Sequence, residues 1–264
     1  MQEGREIHKI ILKYCNFLTI FNTCCDVPKL IKEELAMKRY VILSEKTWNK
    51  DIVQKLEKRL EGENVVFELI SSKQDFTIDK LCKKEINKIF IPHWSYIIPA
   101  EIYENYECVV FHMTDLPYGR GGSPLQNLIT RGHTTTKISA LKVVQELDAG
   151  PIYLKKDLSL LGSAEEIFIR SSRIIQEMIF EIICNDLSPK AQVGTPTVFK
   201  RRTPEMSNIS SIDTLDQLYD HIRMLDAENY PKAFLETDNF RFEFNRASLK
   251  ADKSIIADVR IFKK

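Results

Sequence analysis

The stretch ECVVFHMTDLPYGRGGSPLQNL, Glu107–Leu128, decides how the chain is read. An apolar run, CVVF, ends on His112. An Asp-Leu-Pro turn follows, then Gly119, Gly121 and Gly122 around Arg120. Ser123 and Pro124 suit the N-cap and first-turn positions of a new helix. A buried strand ending in a polar residue, then a loop, then a helix is the repeating join of a parallel sheet. Such sheets bind ligands beyond the carboxyl ends of their strands. Glycines in the loop let a backbone approach a ligand closely.

The pattern extends in both directions. RYVILSE (Arg39–Glu45), NVVFELIS (Asn64–Ser71) and KIFIPHWS (Lys88–Ser95) read as further strands. Lys46–Leu60 carries Trp48, Ile52, Val53, Leu56 and Leu60 at helical spacing, and a short helix is expected over Pro99 to Asn105. KISALKVV, Lys137–Val144, reads as a strand. Ser163 and Glu166 form a capping box that opens a long helix. The fold class is therefore α/β: a Rossmann-like, mostly parallel sheet with helices on both faces. Leu187–Asn208 is rich in Pro, Gly and polar residues and reads as a linker. A helix over Leu215–Leu225 and three alternating runs, AFLET, FRFEFNRASL and SIIADVRIF, predict a small C-terminal α+β subdomain. The expected division is an N-terminal extension at 1–36, a main domain at 37–190, and a linker with the β-rich subdomain at 191–264.

The chain has 264 residues, 44% of them hydrophobic and 28% charged, enough to build a sizeable core. A formal net charge of +1 argues against a general polyanion binder. Its six cysteines contain no CxxC pair, so neither a zinc site nor a disulfide framework is expected, and a reducing cytoplasm is the simpler setting. Cys108 and Cys184 sit in apolar runs and are expected in the core. IILKYCNFLTIF, Ile10–Phe21, is too short to cross a bilayer and is broken by Lys13 and Asn16, so no membrane association is expected.

A second stretch, ELDAGPIY, Glu146–Tyr153, places Asp148 in a turn before Gly150 and Pro151. A histidine titrating near neutrality and a carboxylate that orients it make an acid–base unit. Read alone, a strand-end histidine is more commonly a satisfied structural residue, and Asp-Ala-Gly-Pro is simply a turn. Trp94 suits ligand stacking or core packing equally. His8 and His221 read as helix-face residues, His133 as an exposed loop residue, and KRR at Lys200–Arg202 as a solvated face.

Taken in order, H-x-x-x-L-P-x-x-R-G-x-x-P at His112–Pro124 and L-D-x-G-P at Leu147–Pro151 resemble the folate-dependent formyltransferases. The resemblance spans roughly Met37 to Asn185, and more weakly Leu215 to Leu235. It implies transfer of a formyl group from 10-formyltetrahydrofolate to an amine, with no metal. His112 would lie beside the reacting carbonyl and Asp148 would orient it and move protons. Thr114, Asp115, Leu116 and Pro117 would contact the folate. Tyr96, Ile97, Val144, Gln145 and Glu146 would line the pterin slot. Arg120, Gly121 and Gly122 would face the acceptor, Arg120 pairing a phosphate or simply a carboxylate. One departure stands out: the family's Asn two residues before the histidine is here Val110, which can donate no hydrogen bond to an oxyanion. His93, at the end of the neighbouring strand, is the expected substitute, ahead of Ser95, Thr114 and Asn127. A backbone-bonded strand-end role for His93 is the competing reading.

The acceptor is expected to be the amine of a nucleotide-linked amino sugar, serving polysaccharide synthesis. From Pro196 onward basic and acidic residues nearly balance, which disfavours the phosphate backbone of tRNA. HIRMLDAENYPKAFLE, His221–Glu236, resembles tails of sugar-modifying members, although tRNA-modifying members carry related ones. The alternatives are formylation of charged initiator tRNA, and a non-catalytic folate or nucleotide-sugar binder. Antiparallel edges in the tail would suit a homodimer.

Overall fold

Five apolar stretches place the sheet. In the computed structural model, which describes residues 37–264, the strands are β1 (Lys38–Ser44), β2 (Val65–Ile70), β3 (Lys88–His93), β4 (Cys108–His112), β6 (Thr135–Lys142) and β7 (Ile152–Ser159). They form one sheet in the order β2-β1-β3-β4-β6-β7. β1, β3 and β4 pair in parallel, while β6 runs antiparallel to β4 and β7 antiparallel to β6. The expected 1–36 extension, His8 and the Ile10–Phe21 run lie outside the described residues.

Alternation along each strand sends neighbours to opposite faces. Tyr40, Ile42 and Phe90 join a core with Leu56 of α1 (Ile52–Arg59) and with Ile175, Met178 and Ile179 of a long helix. Val41, Leu43, Ile89 and Ile91 join a second core with Leu81 of α2 (Ile78–Leu81) and Ile102 of α3 (Ala100–Tyr103). Both faces are covered, so the central strands are apolar on both sides, as the sequence shows. The long helix is α5 (Ala164–Cys184). Its capping box is complete: Ser163 Oγ accepts from Glu166 N at 3.3 Å, and Glu166 Oε2 accepts from Ser163 N at 2.8 Å.

Several expectations need correcting. β7 was not anticipated; its run carries Lys155, Lys156 and Asp157. Cys184 is exposed at the end of α5, whereas Cys108 is buried as expected. Pro124 opens α4 (Pro124–Ile129), yet Ser123 takes a left-handed φ of 51° and does not cap the helix; its hydroxyl accepts from Arg202 N at 3.1 Å instead.

The 187–208 segment packs closely on the body of the protein. Its short strand β8 (Val198–Phe199) pairs in parallel with β5 (Arg120–Gly121), and Gly119 N donates to Thr197 Oγ1 at 2.7 Å. This docking explains the glycines. At Gly121, with φ of 100°, an added Cβ would lie 2.5 Å from Phe199 O. At Gly122 it would meet Arg201 Cβ at 2.5 Å. The backbone that the loop admits is a later stretch of its own chain.

Beyond it, α6 (Leu215–Arg223) packs against an antiparallel sheet of β9 (Ala233–Glu236), β10 (Phe240–Leu249) and β11 (Ile255–Lys263), in the order β11-β10-β9. Arg223 anchors the helix, donating to Leu160 O at 2.6 Å and Gly162 O at 2.9 Å.

Gly121→Ala is expected to cost several kcal/mol in urea denaturation, because it combines backbone strain with a collision. Gly62→Ala also has positive φ but meets nothing within 4 Å. It should cost only about 1 kcal/mol.

Candidate active site

His112 stands at the carboxyl end of β4, paired with Ser139, and is 8% exposed. Its Nε2 lies 2.8 Å from Gly119 O. A carbonyl can only accept, so Nε2 carries the hydrogen and Nδ1 is the nitrogen left for chemistry. Nδ1 faces Asp148 Oδ2 at 3.5 Å, a charge-pairing distance rather than a tight hydrogen bond.

Asp148 reaches this position from the connection between β6 and β7, which folds back from Lys142 toward His112. The residue adopts φ of 54°, a left-handed conformation that Asp tolerates better than most. Its Oδ2 also accepts from Gly121 N at 2.9 Å. One carboxylate oxygen therefore touches both the glycine loop and the imidazole.

Gln192 holds this turn from below. Its Nε2 donates to Asp148 O at 2.8 Å and to Gly150 O at 2.9 Å. Its Oε1 accepts from Arg120 Nε at 3.2 Å and Nη2 at 2.9 Å. Arg120 Nη1 donates in turn to Glu146 Oε1 at 3.0 Å. The guanidinium expected to face an acceptor is thus engaged in bracing the Asp148 turn, as is the Glu146 side chain.

A cavity of about 430 Å³ opens beside His112 and Asp148. Gly121 and Gly122 line it, as do Tyr96, Ile97, Val144 and Gln145. Tyr96 and Ile97 are exposed. The turn Thr114–Pro117 does not line the cavity. Thr114 and Leu116 are buried, Ser139 Oγ donates to Thr114 O at 2.7 Å, and Asp115 pairs with Lys155. Ser139 Oγ also accepts from Leu116 N at 3.3 Å, so the turn is fastened to β6.

Val110 sits on the cavity wall, as does His93. The His93 ring packs edge-on against Trp48, with centroids 5.3 Å apart, and against Phe168 at 5.1 Å. Burial, with Lys46 adding to it, lowers its pKa to about 4. His93 is therefore neutral near pH 7 and can offer one N–H. The other candidate donors are committed elsewhere. Asn127 Nδ2 donates to Gly122 O, Ser123 O and Lys200 O. Ser95 Oγ donates to Glu45 at 2.6 Å, and Thr114 Oγ1 donates to Gly119 O.

Three lining or bracing residues gave no sequence signal. Gln192 lies in an aperiodic stretch, Arg201 in a run read as a solvated face, and Tyr230 in a tail segment noted only for its pattern. Arg201 and Tyr230 both line the cavity, and Tyr230 stacks on Phe168 at 5.3 Å. Among the described residues, no group of three or more His, Cys, Asp or Glu side chains is arranged to hold a metal, and no helix is long and apolar enough to cross a membrane.

Comparison with known proteins fixes the family. A methionyl-tRNA formyltransferase from Clostridium thermocellum is 50% identical, with a TM-score of 0.83 over 86% of this chain and 100% of its own. The chain belongs to the folate-dependent formyltransferase family. The family profile described as methionyl-tRNA formyltransferase, C-terminal domain, matches residues 204–262. A methionyl-tRNA formyltransferase from Rickettsia typhi is 30% identical over 117 residues, 43% of this chain and 39% of that protein. The chain thus spans well under two thirds of that relative. A sugar N-formyltransferase from Shewanella shares the formyltransferase fold, with a TM-score of 0.60 at 15% identity over 84% of this chain and 97% of its own.

Two outcomes check this geometry. Unfolded, a histidine titrates near 6.5; folded, His93 titrates near 4. The unfolded chain binds more protons between those values, so stability is fully kept above about 6.5 and falls as pH drops toward about 4. The thermal midpoint should track that fall, and His93→Phe should flatten it. Gln192→Ala should cost about 1–2 kcal/mol. It should also speed hydrogen exchange at Gly121 N, as the Asp148 carboxylate loosens.

Proposed function

We propose that this formyltransferase-family chain moves the formyl group of 10-formyltetrahydrofolate onto the amine of a nucleotide-linked amino sugar. The observation that carries the reading is the His112–Asp148 pair at the wall of a cavity of about 430 Å³. That volume falls within the range of small-molecule sites. Tyr96, Ile97, Val143 and Val144 give the cavity an apolar wall suited to a flat pterin.

The residues divide the chemistry as follows. A neutral amine attacks the formyl carbon, forming a tetrahedral oxyanion. Nδ1 of His112 accepts the proton that the amine loses, and Asp148 Oδ2 stabilises the resulting imidazolium. The same proton then passes to the departing folate nitrogen as the C–N bond breaks. The oxyanion needs a donor in a site where Val110 supplies none. The imidazolium provides charge, and the neutral N–H of His93 on the same wall is the proposed second donor. Arg120 positions Asp148 through Gln192 and is not assigned to the acceptor.

The near-balance of charge from Pro196 onward supports a small acceptor over tRNA. The 50% identical relative carries the name methionyl-tRNA formyltransferase, which keeps charged initiator tRNA as the second reading.

Purified protein supplied with 10-formyltetrahydrofolate should formylate one or more of a panel of thymidine- and uridine-diphosphate amino sugars, read by mass spectrometry. Formylation of charged initiator tRNA alone would replace the sugar reading. Tight folate binding with no product from either acceptor would sink the reaction itself. Asp148→Asn should reduce turnover by about a hundredfold or more while folate affinity changes little. Wild-type turnover in that variant would remove its proton-handling role.

A further inference from the structure

The walls of the cavity beside His112 come from opposite faces of the sheet. Val110, Val143 and Tyr103 pack against the core that holds Ile91 and Ile98. Phe168, Leu125 and Tyr230 belong to the core on the other face. The lobe beside Val143 is the apolar one suited to a flat pterin, so an acceptor meets His112 from the Phe168 side. Tyr230 stands on that side, and Arg201 lies close enough for its charge to act on the Tyr230 phenol.

Arg201 is held through its main chain and free at its side chain. Lys200 O accepts from Asn127 Nδ2 at 3.0 Å, and Arg202 N donates to Ser123 Oγ at 3.1 Å. The residues on either side of Arg201 are thereby fastened to the loop and helix that follow β4. Gly122 permits the approach, since a Cβ there would lie 2.7 Å from Arg201 Cα. The guanidinium, by contrast, makes no hydrogen bond or ion pair among the described residues. Asp148 and Glu146 are engaged elsewhere, with Gly121 N and Arg120. The Tyr230 hydroxyl also has no hydrogen bond among the described residues, although its ring is fixed by stacking on Phe168. Burial raises the phenol to about 12, with Arg201 opposing the rise, so the hydroxyl is protonated near pH 7 and can donate.

We propose that Arg201 and Tyr230 form a subsite for the diphosphate of the acceptor. The guanidinium forks onto phosphate oxygens and the phenol donates to another. The assignment rests on the nucleotide-sugar reading. It supplies the cation that Arg120, engaged with Gln192 and Glu146, does not. A diphosphate concentrates its charge where one fork and one hydroxyl can meet it, whereas a polynucleotide backbone calls for an extended run of cations. A main chain fastened on both sides of Arg201 sets the root of the side chain before the ligand arrives, which lowers the ordering cost of binding. From a diphosphate held there, the sugar would extend toward His112 and bring its amine to Nδ1.

The test uses the full chain. Calorimetry with uridine, thymidine and guanosine diphosphates, carrying no sugar, should show binding of at least one. Arg201→Ala should weaken that binding about tenfold or more. Tyr230→Phe, which keeps the stacking on Phe168, should weaken it about threefold. Tetrahydrofolate should bind both variants as it binds the wild type, which also shows the cavity intact. In the formylation assay Arg201→Ala should raise KM for the nucleotide amino sugar and leave kcat within about threefold, because the contact is made equally before and during reaction. Should Arg201→Ala not fold, Arg201→Gln, which keeps the stem and loses the charge, stands in its place. Binding of none of the diphosphates overturns the subsite, as does binding indifferent to the loss of the guanidinium. The two proposals fail separately. Arg201-dependent diphosphate binding with no amino sugar formylated keeps the subsite and sinks the acceptor reading. An amino sugar formylated by Arg201→Ala at the wild-type kcat/KM keeps that reading and sinks the subsite.

Discussion

The hydrogen bond from Gly121 N to Asp148 Oδ2 is the contact on which the site depends. It joins the loop after β4 to the turn after β6, two segments that the sheet alone would leave apart. Together with the bonds from Gln192 to Asp148 O and Gly150 O, it holds the left-handed backbone of Asp148 beside His112. The bond demands that the chain near Gly121 be stripped of side chain, because β8 occupies the other side of the same loop. The glycines thus serve the carboxylate by admitting a strand: Val198–Phe199 fixes the loop, the loop fixes Asp148, and Asp148 faces the imidazole.

This arrangement shows why the sequence disclosed the parts unevenly. β1, β3 and β4 were legible because burial on both faces requires apolar runs, and the capping box was legible because its two residues satisfy each other locally. β7 was hidden because Lys155, Lys156 and Asp157 break its apolar pattern; its pairing is supplied by β6. The 187–208 segment looked like a linker because it docks through main-chain bonds, which leave no periodicity in the side chains. Gln192 gave no signal because a single polar side chain carries no periodicity, although its amide engages two carbonyls and a guanidinium.

The site residues followed a similar division. His112 and Asp148 are brought together, and His93 shares their cavity wall. Arg120 and Glu146 carry the residue types expected of ligand contacts, yet they pair with each other, and Arg120 also pairs with Gln192. A motif reports which residues a loop contains. Whether an arginine in it meets a ligand or its own scaffold depends on a segment some seventy positions later, which the motif does not contain.

Val110 sharpens the chemical question. An Asn at this position would bring both a donor and an acceptor to the cavity wall; a valine brings neither, and it lowers the local polarity. In a drier site each remaining donor acts more strongly on a developing charge. The burial that lowers the pKa of His93 to about 4 is part of the same effect: it keeps the ring neutral, so in the proposed reaction its N–H would act as a dipole, and the cationic role would fall to His112, the ring that Asp148 faces.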